Sequence, residues 1–306
     1  MPDSDKPTLP ATNDALSRRL LDVDGKIADL MVLRRQILEE ADHQPSSCTE
    51  HRADKGAHDL HLHGCGPLLG KLLQRVKETP LHTPSFTRVF CEIFAATSPR
   101  QDTTSVAVFM PSRGTGYLEL CRDFYGAYVQ TTPVHTTGSV VRLVATGEAT
   151  LGIVPLPKQD DPHRWWPLLL STQPNTPRIV ARLPFTGPGQ GRGDGLEALV
   201  LYRHPLSPFG TASMHHSNPG RALISVETLE GISRASLGEL FTKVGLRVLE
   251  MPDAIVPAAG ARLHLVEIED NLTQDDPRLH TLKSGSPITS LTVLGRYAPP
   301  LEEGSL

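Results

Sequence analysis

Leu16 to Ile37, LSRRLLDVDGKIADLMVLRRQI, places apolar residues at Leu16, Leu20, Val23, Ile27 and Leu30, alternately four and three apart, and the stripe resumes at Ile37. That spacing predicts a long helix whose seam packs against other helices. The seam position between Leu30 and Ile37 is Arg34. A guanidinium on a packing stripe calls for acidic partners or an anionic ligand, because an unpaired buried charge is costly. Asn13 or Asp14 can cap this helix at its start.

The chain has 306 residues, enough for two or three domains, and a net charge of -4 at pH 7, too mild to point to nucleic acid or a membrane surface. No apolar run approaches the roughly 20 residues of a membrane span. The opening MPDSDKPTLPATND, residues 1–13 and the start of the helix, reads as a disordered tail without signal-peptide order, so the expected location is cytoplasmic. Cys48, Cys65, Cys91 and Cys121 show no framework spacing, which predicts reduced thiols. Residues 41–66 lose all periodicity and hold Cys48, His51, His58, His61, His63 and Cys65. These are zinc- or copper-type ligands, yet no CxxC or HxxxH pair is present, and a solvated loop with no metal is the favoured reading.

A second helix is expected from Pro67 to Lys77, and a third from Thr83 or Ser85, with Phe86, Val89, Phe90 and Ile93 on one face. That face continues to Thr97 and, one turn later, Gln101, although Pro99 should disturb the last turn. On Leu16, Asp24, the Arg34-Arg35 pair and the run from Phe86 through Thr97 to Gln101, residues 14–101 resemble the AroQ-type chorismate mutase, an all-α helical dimer. The resemblance implies that Arg34 binds a carboxylate of chorismate, Gln101 supports the ether oxygen and Thr97 lies beside it, with Arg18 near the place of an arginine supplied across the dimer. Where the family has its other clamps this chain has Ser17, Pro45 and Gly64-Cys65. The residues alone leave a second reading open, a helical module kept for dimerisation with Arg34 paired internally.

From Thr104 to Met110 the pattern is a strand, followed by Gly114 and Gly116 and a helix from Tyr117, a generic anion cradle. A helix through Val140, Val141 and Val144 and a buried strand Leu151–Val154 follow, so a parallel open sheet is expected. VAVFMPSRGTGYLE, VVRLVATGEATLGIVPLP and the stretches Trp165–Leu169 and Arg178–Phe185 resemble prephenate dehydratase, whose first lobe is periplasmic-binding-protein-like. In that comparison residues 104–220 form a partial lobe: the second lobe is missing, and Leu196, Glu197 and Ala198 stand where the family has Thr-Arg-Phe. Dehydration is therefore expected to be lost.

Residues 221–306 read as strand, helix, strand, strand, helix, strand, with Thr228 as helix cap, the ferredoxin-like plan. VLGRYAPPL and Glu250 resemble the ACT domain that follows the dehydratase, with Ser233 in the helix-opening motif. The implied ligand there is phenylalanine, bound through Glu250 and Ser233. The expected fold is thus multidomain: an all-α AroQ-like domain, an α/β partial lobe and an α+β ACT-like domain. The order matches the bifunctional chorismate mutase–prephenate dehydratase family of phenylalanine biosynthesis. The resemblance implies a homodimer acting on chorismate or prephenate without cofactor, its surviving chemistry chorismate to prephenate. The alternative is a non-catalytic protein that senses an aromatic metabolite or serves as a scaffold.

Overall fold

A computed structural model describes residues 13–43, 65–186, 195–203, 220–229, 231–258, 260–284 and 287–301. The predicted tail and most of the His/Cys loop lie outside the described residues. Helix α1, Asn13–His43, takes up the quoted stretch as one 31-residue rod. Its C-terminal end is the part that packs: Leu38 is buried and Met31 and Arg34 are half-buried. Upstream the same seam is open, with Leu20 at 65% and Leu30 at 63% exposure. Helices α2, Cys65–Val76, and α3, Thr83–Ala96, complete the helical part, with Pro67 in the first turn of α2. No helix among the described residues is long and apolar enough to cross a membrane.

The expectation that α3 runs on to Gln101 is corrected. Thr97 is its C-cap, and Gln101 opens a separate 3-10 turn, Gln101–Thr103. Pro99 is the cause: it offers no N–H to the helical ladder, and it biases the residue before it away from helical backbone.

Strands β1 (Ser105–Phe109), β2 (Gln130–Val134) and β3 (Leu151–Pro155) run parallel, β1 in the middle, joined by α4 (Gly116–Tyr125) and α5 (Thr137–Thr146). Strand β2 is absent from the sequence reading because QTTPV is mostly exposed and holds Pro133. Those are properties of an edge strand, where a missing donor can face away from the ladder. Trp166–Leu170 forms a 3-10 turn, with Pro167 near its start. Then β4 (Arg178–Leu183) and β5 (Ala198–Tyr202) follow, and β5 inserts antiparallel between β3 and β4.

The last part has the expected order: β6 (Arg221–Leu229), α6 (Arg234–Lys243), β7 (Val248–Ala258), β8 (Ala261–Ile268), α7 (Pro277–Lys283) and β9 (Ile288–Tyr297). Thr228 does not cap α6; it is a buried residue of β6, and Ser233 is the cap, its Oγ accepting from Ser236 N at 3.0 Å. Gly231, at φ +95°, makes the turn that lets the chain leave the strand before the helix starts.

The nine strands of the described residues join in one sheet, ordered β2-β1-β3-β5-β4-β9-β6-β8-β7. The join is the parallel pair β4–β9, registered at Ile179 and Gly295. Both strands are irregular there: β4 skips a residue against β5 between Ile179 and Ala181, and β9 skips one against β6 opposite Leu223/Ile224. A bulge in each partner bends the ladder where two half-sheets meet.

Three apolar cores follow from strand alternation. Val106, Val108, Ile153 and Val200 face α2, α3 and α4. On the opposite face Ala107, Leu199, Leu223, Leu265 and Leu294 pack against α5, Trp165, Trp166 and Leu169. Ile224, Val226 and Val266 lie under Leu237 and Phe241 of α6 and Leu279 and Leu282 of α7. The second core spans the join, so the half-sheets share buried apolar surface as well as a strand pair.

Candidate functional site

Arg34 reaches the C-terminal end of α3. Its Nη1 donates to Thr97 Oγ1, and its guanidinium lies over the Phe94 ring, 4.7 Å from the centroid. Thr97 Oγ1 in turn donates to Ile93 O at 2.7 Å, and the Thr97 amide donates to the same carbonyl at 3.0 Å. The last carbonyls of a helix lack intrahelical donors and carry the negative end of its dipole. Thr97 satisfies one of them, and the Arg34 cation sits where that potential favours it. The ring face of Phe94 adds a cation–π contact worth about 0.5–2 kcal/mol, depending on how dry the site is. A guanidinium, a hydroxyl and an aromatic face thus converge at one part-buried corner, from residues far apart in sequence.

The other expected residues of this group stand elsewhere. Gln101 lies in the 3-10 turn, its amide donating to Ser98 O at 3.4 Å, and its side chain makes no hydrogen bond to Arg34 or Thr97 among the described residues. Arg18 is exposed and its Nε donates to Asp14 O at 3.3 Å. Sixteen residues of helix separate it from Arg34, about 24 Å at 1.5 Å per residue, so one chain cannot bring the two together. In the C-terminal part, the Ser233 hydroxyl accepts from Ser236 N as a helix cap. Glu250 is exposed on β7, in register with Glu267 of β8.

The glycine turn after β1 lies where α4 and α5 leave the sheet on opposite faces, a topological switch point of the kind that hosts ligands in open α/β sheets. The first turn of α4 already holds a carboxylate, Glu119, whose Oε1 accepts from Thr115 Oγ1 at 2.9 Å. A negative group there occupies the position an anion would take. Thr136 caps α5 by accepting from Ser139 N at 3.1 Å. Phe109, Tyr117 and His163 line the end of β1, with Phe109 5.9 Å from Tyr117 and 4.9 Å from His163, centroid to centroid.

Two buried polar clusters escape the sequence reading. Asp253 of β7 has a fully buried carboxylate that accepts from Arg164 Nη2 at 3.0 Å, Trp166 Nε1 at 2.8 Å and Ala254 N at 2.9 Å. Burial pushes this carboxyl up, and the Arg164 and Trp166 hydrogen bonds more than offset it, holding it below the ordinary aspartate value. Glu267 of β8 accepts from Tyr297 Oη at 2.7 Å and from Arg221 at 3.3 Å, with Arg182 3.5 Å away. Burial, then the neighbouring Glu267, keep the Tyr297 hydroxyl well above its ordinary value. Arg182 also pairs with Glu197 at 2.8 Å, which places one of the three residues at the dehydratase motif inside an internal ion pair. The Asp253 and Glu267 clusters tie the two half-sheets together. Their partners lie tens of residues apart, and no local pattern in the sequence announces them.

Solved structures similar to this chain include the quorum-quenching acylase GqqA, at 14% identity and a TM-score of 0.43 over 64% of this chain and 95% of that one. Prephenate dehydratase from Streptococcus mutans is 13% identical, with a TM-score of 0.42 over 63% of this chain and 97% of that one. Prephenate dehydratase from Arthrobacter aurescens, solved in complex with L-Phe, is 11% identical, with a TM-score of 0.45 over 64% of this chain and 90% of that one. No protein-family model and no curated protein sequence matches the chain.

Proposed function

We propose that this chain is a diverged, cytoplasmic protein of the chorismate mutase–prephenate dehydratase type that binds a chorismate- or prephenate-like dicarboxylate at the Arg34 corner and does not turn it over. The observation that carries the reading is the meeting of Arg34 with Thr97 over Phe94. A guanidinium already held at a helix end can rotate part of its donor fork to a carboxylate, and the ring gives the ligand an apolar wall.

Magnitudes favour binding over turnover. A hydrogen bond to a charged group contributes about 1.5–3 kcal/mol, or roughly ten- to hundredfold in a rate or an affinity. An acceleration of about a millionfold, the low end for enzymes, needs about 8 kcal/mol. One arginine supplies a fraction of that. Dehydration is left out of the reading, since Glu197 pairs with Arg182 and Ala198 is buried in β5.

A second copy of the chain belongs to this reading. The open stripe of α1 is self-complementary when antiparallel and centred on Gly25, which sets Leu20 opposite Leu30 and Val23 opposite Ile27. The same pairing puts Arg18 of one copy within two residues of the level of Arg34 in the other, but on the outer face of its helix, so Arg34 is the cation of this reading. The C-terminal βαββαβ unit would then act as an ACT-like assembly module, with Ser233 and Glu250 the residues to test for phenylalanine.

The test is chorismate absorbance decay, alongside thermal shifts with chorismate and prephenate. The expected result is no turnover above the uncatalysed rate and a rise in melting temperature that Arg34→Ala removes. Residual conversion of chorismate to prephenate is the second reading, favoured by the same Arg34–Thr97 pairing. Turnover that Arg34→Ala abolishes would establish it in place of the first. Neither turnover nor a shift would sink both.

A further inference from the structure

His264 lies on β8 beside β6, on the face covered by α6, and is 1% exposed. Because β6 runs out to Leu229 and α6 returns from Arg234, the first turn of the helix comes back over the end of the strand. Leu237 and Phe241, farther along α6, share a core with Val226 and Val266, and Arg234 at the helix start is near enough for its charge to act on His264. His264 Nε2 is 3.3 Å from Thr228 Oγ1, and Nδ1 is buried with no hydrogen-bond partner among the described residues.

The groups facing the ring define what it tolerates. From β6 the face presents Val226 and the Thr228 hydroxyl, while Glu227 alternates to the other side. From β7 it presents Ala254, and the neighbouring Asp253 carboxylate points to the opposite face, where Arg164 and Trp166 hold it. Among the described residues, the charges acting on the ring are the guanidiniums of Arg262, on β8 itself, and Arg234, the first residue of α6. Arg234 is also tied to the loop after β3, its Nη2 donating to Gln159 Oε1 at 3.0 Å.

We infer that His264 is an acid-sensitive latch beneath the first turn of α6, closed while the imidazole is neutral and loosened when it gains a proton. A proton would create a third cation between two guanidiniums, buried, with Nδ1–H lacking an acceptor. Relief comes from lifting the helix start, which exposes the ring to water and moves Arg234 away from it. The Arg234–Gln159 bond breaks with the same motion, so acid uncouples α6 from the loop that follows β3. Burial first, then Arg262 and Arg234, push the folded-state pKa of His264 below its ordinary value, as this geometry requires. The sign follows from linkage: the opened state takes up the proton first, so closure is fully favoured above about pH 6.5 and weakens as pH falls below it.

The experiment is hydrogen exchange of the full chain, read by mass spectrometry over residues 221–243 at pH 7.5 and 5.5 and corrected for the intrinsic pH dependence of exchange. With an opened-state pKa of about 6.5, the opening constant of the wild type rises across that step, by about tenfold at most. His264→Gln keeps a partner for Thr228 but cannot titrate, and its opening constant stays flat. Arg262→Gln removes one facing cation, so its step is smaller than the wild type's. A flat wild type, or a His264→Gln step equal to the wild type's, overturns the latch. If His264→Gln does not fold, the His264 ring is titrated in the wild type by NMR: a midpoint below about 6.5 is expected, and one at or above it overturns the proposal.

Discussion

Substituting Gly295 by alanine tests the join between the half-sheets. A Cβ at this position would stand 2.6 Å from Ile179 Cα and closer still to the Ile179 carbonyl oxygen and amide nitrogen. These are backbone atoms of β4, held on their other side by β5, so they cannot swing aside as a side chain would. Overpacking in a well-filled interior typically costs about 1–3 kcal/mol. Three backbone atoms within such distances place this substitution at the upper end, about 3 kcal/mol. The alternative to that strain is separation of β4 from β9, which would also loosen Leu294 and Tyr297 in the shared core. At about 2–4 °C per kcal/mol for a chain of this size, Gly295→Ala should lower the melting temperature by about 6–12 °C. Calorimetry is the assay, with Gly25→Ala as control, since nothing lies within 4 Å of a Cβ there. A melting temperature within about 2 °C of wild type would refute the close β4–β9 approach and the single nine-stranded sheet with it.

Asp253→Asn removes a buried charge while leaving an acceptor for Trp166, and Arg164, about a quarter exposed, recovers part of its hydration. The expected loss is about 2–3 kcal/mol by urea titration, less than the 3–5 of a fully buried pair. Because the folded-state pKa of Asp253 is depressed, its contribution is complete above about pH 4 and disappears on acidification below that. Stability curves of wild type and Asp253→Asn should therefore converge toward low pH, and curves that stay parallel would refute the assignment. Ile27→Asp puts a carboxylate near the centre of the proposed α1–α1 seam in both copies. Sedimentation velocity should show a dimer in the wild type and its dissociation constant raised more than about a hundredfold in the variant. A monomeric wild type, or a variant that dimerises equally well, would remove the second copy from the account.

The helical part was legible because its signals are local. The alternation of four and three predicts α1, and a single cation on that stripe marks Arg34 as a residue that must find a counterpart. Thr97 was readable as a polar ending to an apolar face, but the ring of Phe94 beneath the guanidinium was not, since on the page it is one of several aromatic residues in α3. Gln101 falls off the α3 face because Pro99 ends the helix before it. Strand β2 leaves no periodic signal: its residues mostly face water, so alternation has nothing to report. Thr228 has the chemistry of a helix cap, but the continuation of β6 under α6 takes it into the strand instead. The join at Gly295 and the clusters around Asp253 and Glu267 were beyond local reading altogether. Each depends on partners brought in by topology, and a glycine or a carboxylate in a strand looks the same whether or not such a partner arrives.

The central claim is that Arg34 holds a dicarboxylate. Calorimetric titration of the full chain with chorismate and with prephenate, in wild type and Arg34→Ala, tests it most directly. The account predicts saturable binding at one site per chain, weakened about ten- to hundredfold by the substitution. Equal affinity in the two proteins, or no heat from either ligand at millimolar concentration, would contradict it.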